Sequence, residues 1–254
     1  MAAIDEDETE PAHGRMTLIE HLTELRRRII ICAIAIVVGA IIGFLIYSRI
    51  LHVLQHPYAQ VTKGRAGCPP GGCRLVATDP LAPFLVRLKV STYTGFVIAL
   101  PVVLWQLWRF ITPGLNPKEK KYAIPFIGSS VVLFLMGGAV AWLTFPKALG
   151  FLVGIGGGDI STFFTADKYL TFVCLMILAF GLSFEFPVVL VFLMLARVLK
   201  TSTLRKYRRH AIVGIVAFAA VITPSQDPYS LFFMAAPMVL FYEGSIVIGR
   251  ILKR

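Results

Sequence analysis

The chain has 254 residues, of which 57% are hydrophobic and 15% charged, with a formal net charge of +11 and a mean hydropathy of +0.76. Ordinary globular proteins carry roughly 25% charged residues, so the composition argues against a soluble fold and excludes a disordered chain, a coiled coil and a secreted disulfide scaffold. What remains is a polytopic membrane protein, in which excess positive charge marks cytoplasmic loops rather than a nucleic-acid partner.

Crossing a bilayer takes about 20 apolar residues. Taken in order, residues 1–14 carry Asp5-Glu6-Asp7-Glu8 and read as a disordered acidic tail, not a cleavable signal. Apolar runs follow at about 29–47, 90–110, 122–145 and 169–196, the last holding a single charge, Glu185. Two shorter runs lie at 211–222 and 231–249. Twelve residues make only about 18 Å of helix against a hydrocarbon core of roughly 30 Å. The fifth run therefore extends back to 207, its basic residues snorkelling to the interface. The prediction is one all-α domain over 15–254 with six transmembrane helices, the fifth and sixth short.

The charges orient it. Seventeen of the 25 Lys and Arg fall on the N-terminal side of this scheme: Arg15 and Arg26–Arg28, Arg109 to Lys121, Arg197 to Arg209, and Arg250 to Arg254. Both termini are expected in the cytoplasm. No repeat is visible.

Cys68-Pro-Pro-Gly-Gly-Cys73 then lies in an outer loop, where a local disulfide is the leading reading; a zinc site combining the pair with His52 and His56 is the rival. No metalloprotease, nucleophile-elbow, Walker or dinucleotide motif is present, so neither an enzyme nor a cofactor is expected.

Five segments carry polar chemistry. Before the first span, Thr17 and Glu20 have capping-box spacing, and Leu18, Leu22, Leu25 and Ile29 form a stripe suited to the membrane surface. Glu24 stands four residues before Arg28, in pairing register. Between the second and third spans, Pro113-Gly114 turns the chain, Asn116-Pro117 starts a helix and Glu119 has capping spacing, while Trp105 and Trp108 suit an interfacial belt. Glu185 falls near mid-depth in Phe180-Gly-Leu-Ser-Phe-Glu-Phe-Pro187; it is either functional or an interhelical hydrogen-bonding group. Thr223-Pro-Ser-Gln-Asp227 is an outer turn. Glu243, near the inner end of the last span, is placed to snorkel.

Together these residues resemble the TatC family, the multispanning subunit of the twin-arginine translocase. The resemblance rests on His21-Leu22, Glu24-Leu25-Arg26 and Arg28; Ala77-Thr78-Asp79 with Pro83-Phe84; and Pro101, Gln106, Trp108, Phe110, Pro113 and Glu119. The Phe180–Pro187 segment, Thr223-Pro224 and Asp227 complete it. The Cys68–Cys73 turn and an extra residue near Ser225-Gln226 depart from the pattern. The resemblance implies a concave bundle in the cytoplasmic membrane. It implies a receptor for folded cargo whose signal peptides carry paired arginines, driven by the proton-motive force. The ligand carboxylates would be Glu24 and Glu119, with His21, Leu22, Leu25 and Arg26 around them. Glu185 and Gln106 would be polar groups within the membrane, and Pro57, Asp79 and Asp227 outer-loop positions. Implied partners are the single-span subunits TatA and TatB, further copies of the chain, and lipid. The alternative from another class is a proton-coupled small-solute transporter using Glu185.

Overall fold

The computed structural model describes residues 18–63, 68–69, 72–111, 123–155, 164–195 and 198–251. The expected tail, Thr17 of the proposed cap, and Glu119 lie outside them.

Among the described residues the secondary structure is helical apart from one isolated bridge. The helices are α1 (Leu18–Leu45), α2 (Tyr47–Thr62), α3 (Ala82–Ile111), α4 (Ala123–Ile155), α5 (Ala166–Phe184), α6 (Phe186–Leu195), α7 (Thr201–Lys206), α8 (Arg208–Ile222) and α9 (Pro228–Ile251). Five stretches are long and apolar enough to cross a membrane: His21–Leu45, Ala82–Phe110, Ile124–Ile155, Ala166–Leu195 and Pro228–Ile251. The segment expected to lie along the surface before the first span is continuous with it in α1.

The last span is not short. Asp227 accepts a hydrogen bond from the Ser230 N–H at 2.8 Å, starting α9 three residues before its apolar run. Its 24 residues reach about 36 Å, enough to cross. Of the six expected spans, among the described residues, α8 alone falls short: 15 residues give about 22 Å. Tyr207, in neither helix, separates it from α7, which carries Arg205 and Lys206.

Lipid tails offer helices no hydrophobic reason to associate, so close backbone approach supplies the packing. A Cβ on Gly39 of α1 would stand 2.5 Å from the carbonyl oxygen of Gly95 on α3, and one on Gly43 would stand 3.0 Å from that of Ser91. A Cβ on Gly137 of α4 would meet the Phe180 carbonyl of α5 at 2.6 Å. Around this second contact Phe134, Phe145, Tyr169, Met176 and Phe180 are buried, joined by Met234 and Met238 of α9. By contrast Ile34, Val37 and Ile41 of α1 are more than half exposed, as lipid-facing residues are.

The connection between the first two expected spans contains α2, whose buried residues Leu54, Pro57, Tyr58 and Thr62 recur with helical period. Pro57 is thus a packing residue inside a helix. Arg87 holds the corner between α1 and α2, its guanidinium 3.9 Å from the Phe44 ring centre and donating to the Phe44 carbonyl at 3.1 Å. The Tyr169 hydroxyl donates to the Leu54 carbonyl at 2.9 Å. Val76 forms a parallel bridge to Thr165, and the Ala166 N–H donates to the Val76 carbonyl at 2.9 Å. Two connections far apart in sequence thereby become one cap.

Candidate functional site

The end of the α1–α3 pair where α1 begins and α3 closes gathers most of the N-terminal motif. Positions 21, 24, 25 and 28 share a helical face. On it the His21 ring stacks on Phe110 of α3, centroids 4.4 Å apart. Arg28 uses one terminal nitrogen to donate to Glu24 Oε1 and the other to approach the Gln106 side-chain oxygen and backbone carbonyl, both at 3.4 Å. Glu24 Oε2 is buried and has no hydrogen-bond partner among the described residues. Leu25 is half-buried, while Leu22 and Arg26 point outward and are exposed. Gln106 thus serves this cluster rather than the neighbourhood of Glu185. Trp105 is 42% exposed, as a belt residue would be, but Trp108 is only 7% exposed. It packs against Phe126 and Phe192, ring centres 4.8 and 5.7 Å away, and so belongs to the interior.

Glu185 sits where α5 gives way to α6. Pro187 lacks the N–H that would donate to residue 183, and its ring crowds that carbonyl, so the helix breaks just before it. The Glu185 N–H donates instead to the Leu182 carbonyl at 3.1 Å. The break presents the carboxylate to a cavity of about 440 Å³ between α3, α4 and the α5–α6 pair, walled by Phe96, Leu104, Trp108, Leu182 and Val189. Buried Ser130 lies within hydrogen-bonding reach of Glu185, whose Oε1 has no partner among the described residues. The arrangement can accept a hydrogen bond from a polar group entering an otherwise oily space.

At the opposite end of α3, Asp79 Oδ1 accepts from the Leu81 N–H at 2.8 Å. Asp227, 2% exposed, does the corresponding work for α9. Cys68 and Cys73 are joined in a disulfide, their Cα atoms 4.7 Å apart. That leaves no thiolates for the zinc alternative, and His52 and His56 are both exposed. Among the described residues no group of three His, Cys, Asp or Glu could hold a metal. Glu243 does more than snorkel: it pairs with Arg208 of α8. Lys89 and Asp167 pair at 2.6 Å, a link between α3 and α5 that no sequence motif announced.

Long apolar helices closed together by glycines, with one acid held inside the bundle, define a polytopic α-helical membrane protein. Residues 20–237 match the family model described as Sec-independent protein translocase protein (TatC). The chain belongs to that family, as its motifs suggested. It is 41% identical over 240 residues to the TatC of Frankia casuarinae, covering 93% of this chain and 66% of that relative. It is 36% identical over 246 residues to the TatC of Aquifex aeolicus, covering 94% and 97%. A crystal structure of the twin arginine translocase receptor TatC in DDM superposes with a TM-score of 0.74 at 36% identity, over 91% of this chain and 99% of that one. Family membership makes the protein a component of a protein translocase, a transport protein rather than a conventional enzyme.

Proposed function

We propose that the chain is the signal-peptide receptor and core subunit of a twin-arginine translocase, exporting folded proteins across the cytoplasmic membrane at the expense of the proton-motive force. In this reading α8 is a sixth, thin crossing that draws the bilayer in around it, and both termini are cytoplasmic. The receptor works as a homo-oligomer with single-span TatA and TatB subunits, and the ligand is a peptide bearing adjacent arginines. One observation carries the reading: Glu24, on a rim rich in exposed arginines, is already arranged to hold a guanidinium. Arginine and carboxylate match in shape and charge, so a carboxylate there selects arginine over lysine by fork geometry. Glu119 is the second carboxylate of the proposal.

The test is binding of a synthetic signal peptide with Arg-Arg to the purified protein in detergent, beside its Lys-Lys counterpart. Preference for Arg-Arg that falls in both Glu24→Ala and Glu119→Ala supports the site; unchanged affinity in both variants removes it. Cysteines introduced one at a time near Arg26, Ser202 and Arg250, probed with an impermeant thiol reagent in intact cells, test the orientation. All three should stay unlabelled until the cells are opened.

A further inference from the structure

Glu24 is not vacant. Its Oε1 is taken by Arg28 one turn further along α1, and its Oε2 is shielded from solvent. A visiting guanidinium therefore meets a carboxylate that already has one. Arg28 also has somewhere else to go, since its second terminal nitrogen rests 3.4 Å from both the side-chain oxygen and the backbone carbonyl of Gln106. Arg28 is the more enclosed partner, its side chain 13% exposed against 24% for Glu24. Arg28 is held between α1 and α3, and of the two side chains Glu24 retains the larger exposed share. Neighbouring Arg27 is exposed and has no part in the pair.

We infer that Arg28 is the resident occupant of the Glu24 carboxylate, and that an arginine-bearing peptide binds by displacing it onto Gln106. The inference rests on the receptor reading above and adds a residue that sets affinity and selectivity. Arg28 reaches Glu24 through one terminal nitrogen; an ammonium can at best match that single contact, whereas a forked guanidinium that engages both carboxylate oxygens exceeds it. Gln106 lowers the cost of release, because Arg28 keeps hydrogen-bonding partners after it lets go.

Peptide affinity is compared in the full-length protein and in Arg28→Gln, Arg28→Lys, Gln106→Leu and Arg27→Gln, each checked for a monodisperse elution profile. Arg28→Gln should bind the Arg-Arg peptide about fivefold more tightly and discriminate less against Lys-Lys, the scale expected for removing one partly exposed ion pair. Arg28→Lys keeps the charge without the fork and should fall between. Gln106→Leu should weaken binding about twofold to threefold, because Arg28 is left with fewer alternatives to Glu24. Arg27→Gln removes the same charge without touching the pair and sets the size of the general electrostatic effect. Arg28→Gln binding no more tightly than Arg27→Gln overturns the inference while leaving the receptor reading standing. A parent protein that does not prefer Arg-Arg overturns both. If Arg28→Gln does not fold, Arg28→Lys and Gln106→Leu must still move affinity in opposite directions.

Discussion

Glu24 and Glu185 are both acids within apolar helices, yet their surroundings have little in common. Glu24 lies where α1 enters the membrane, against a guanidinium that links it to α3. Glu185 lies at a proline-induced break, with a serine hydroxyl for company and an oily cavity in front. Among the described residues no ion pair includes it. The first environment already pairs its carboxylate with a guanidinium. The second penalises an ion and rewards a hydrogen bond from a neutral partner. Under the proposed function, the first acid takes a charged ligand at the membrane surface and the second a polar group arriving through lipid.

Variants at the two acids should separate these roles. The largest effect belongs to Glu24→Ala, which should lower affinity for a twin-arginine peptide about tenfold to a hundredfold, the loss of a charge-assisted contact. Glu185→Ala should leave that affinity within about twofold yet slow export of a folded reporter in cells. A normal export rate would return Glu185 to a purely structural role, and a loss of peptide binding would merge the two sites. Gly95→Val probes the scaffold beneath both: with no room for a side chain against Ala40 and Ile36 of α1, the variant should melt well below the parent in detergent. The smallest effect is expected at the loop tip. Replacing Cys68 and Cys73 together by serine should lower Tm by a few degrees and leave peptide binding intact, since the bridge closes a short loop.

The Glu24 cluster was legible in part. Glu24 and Arg28 stand four apart on a helix, so their pairing could be read from spacing alone, but nothing in the spacing indicated that Gln106, 78 residues further on, would share Arg28. Trp108 looked like an interfacial residue because tryptophans often are; only the approach of Phe126 and Phe192 shows it to be interior. The helix α2 left a recognisable signal in Leu54, Tyr58 and Thr62, masked by Pro57 and by polar residues between them. The start of α9 was misjudged because counting apolar residues ignores the cap. Asp227 and Pro228 together were a better marker than the hydropathy that follows.

Composition and hydropathy determined on their own that this is a membrane protein built of helices, because a backbone in lipid must satisfy its own hydrogen bonds and only a long apolar helix does so locally. Motif order determined the family; which proline breaks a helix was not determined, since Pro101, Pro146 and Pro237 sit inside continuous helices while the helix ends before Pro187. Tertiary structure alone decided which helices meet, that Val76 joins Thr165 across the cap, and that Arg28 already occupies Glu24. Those outcomes depend on surfaces brought together from distant parts of the chain, and local periodicity holds no record of which surface each will face.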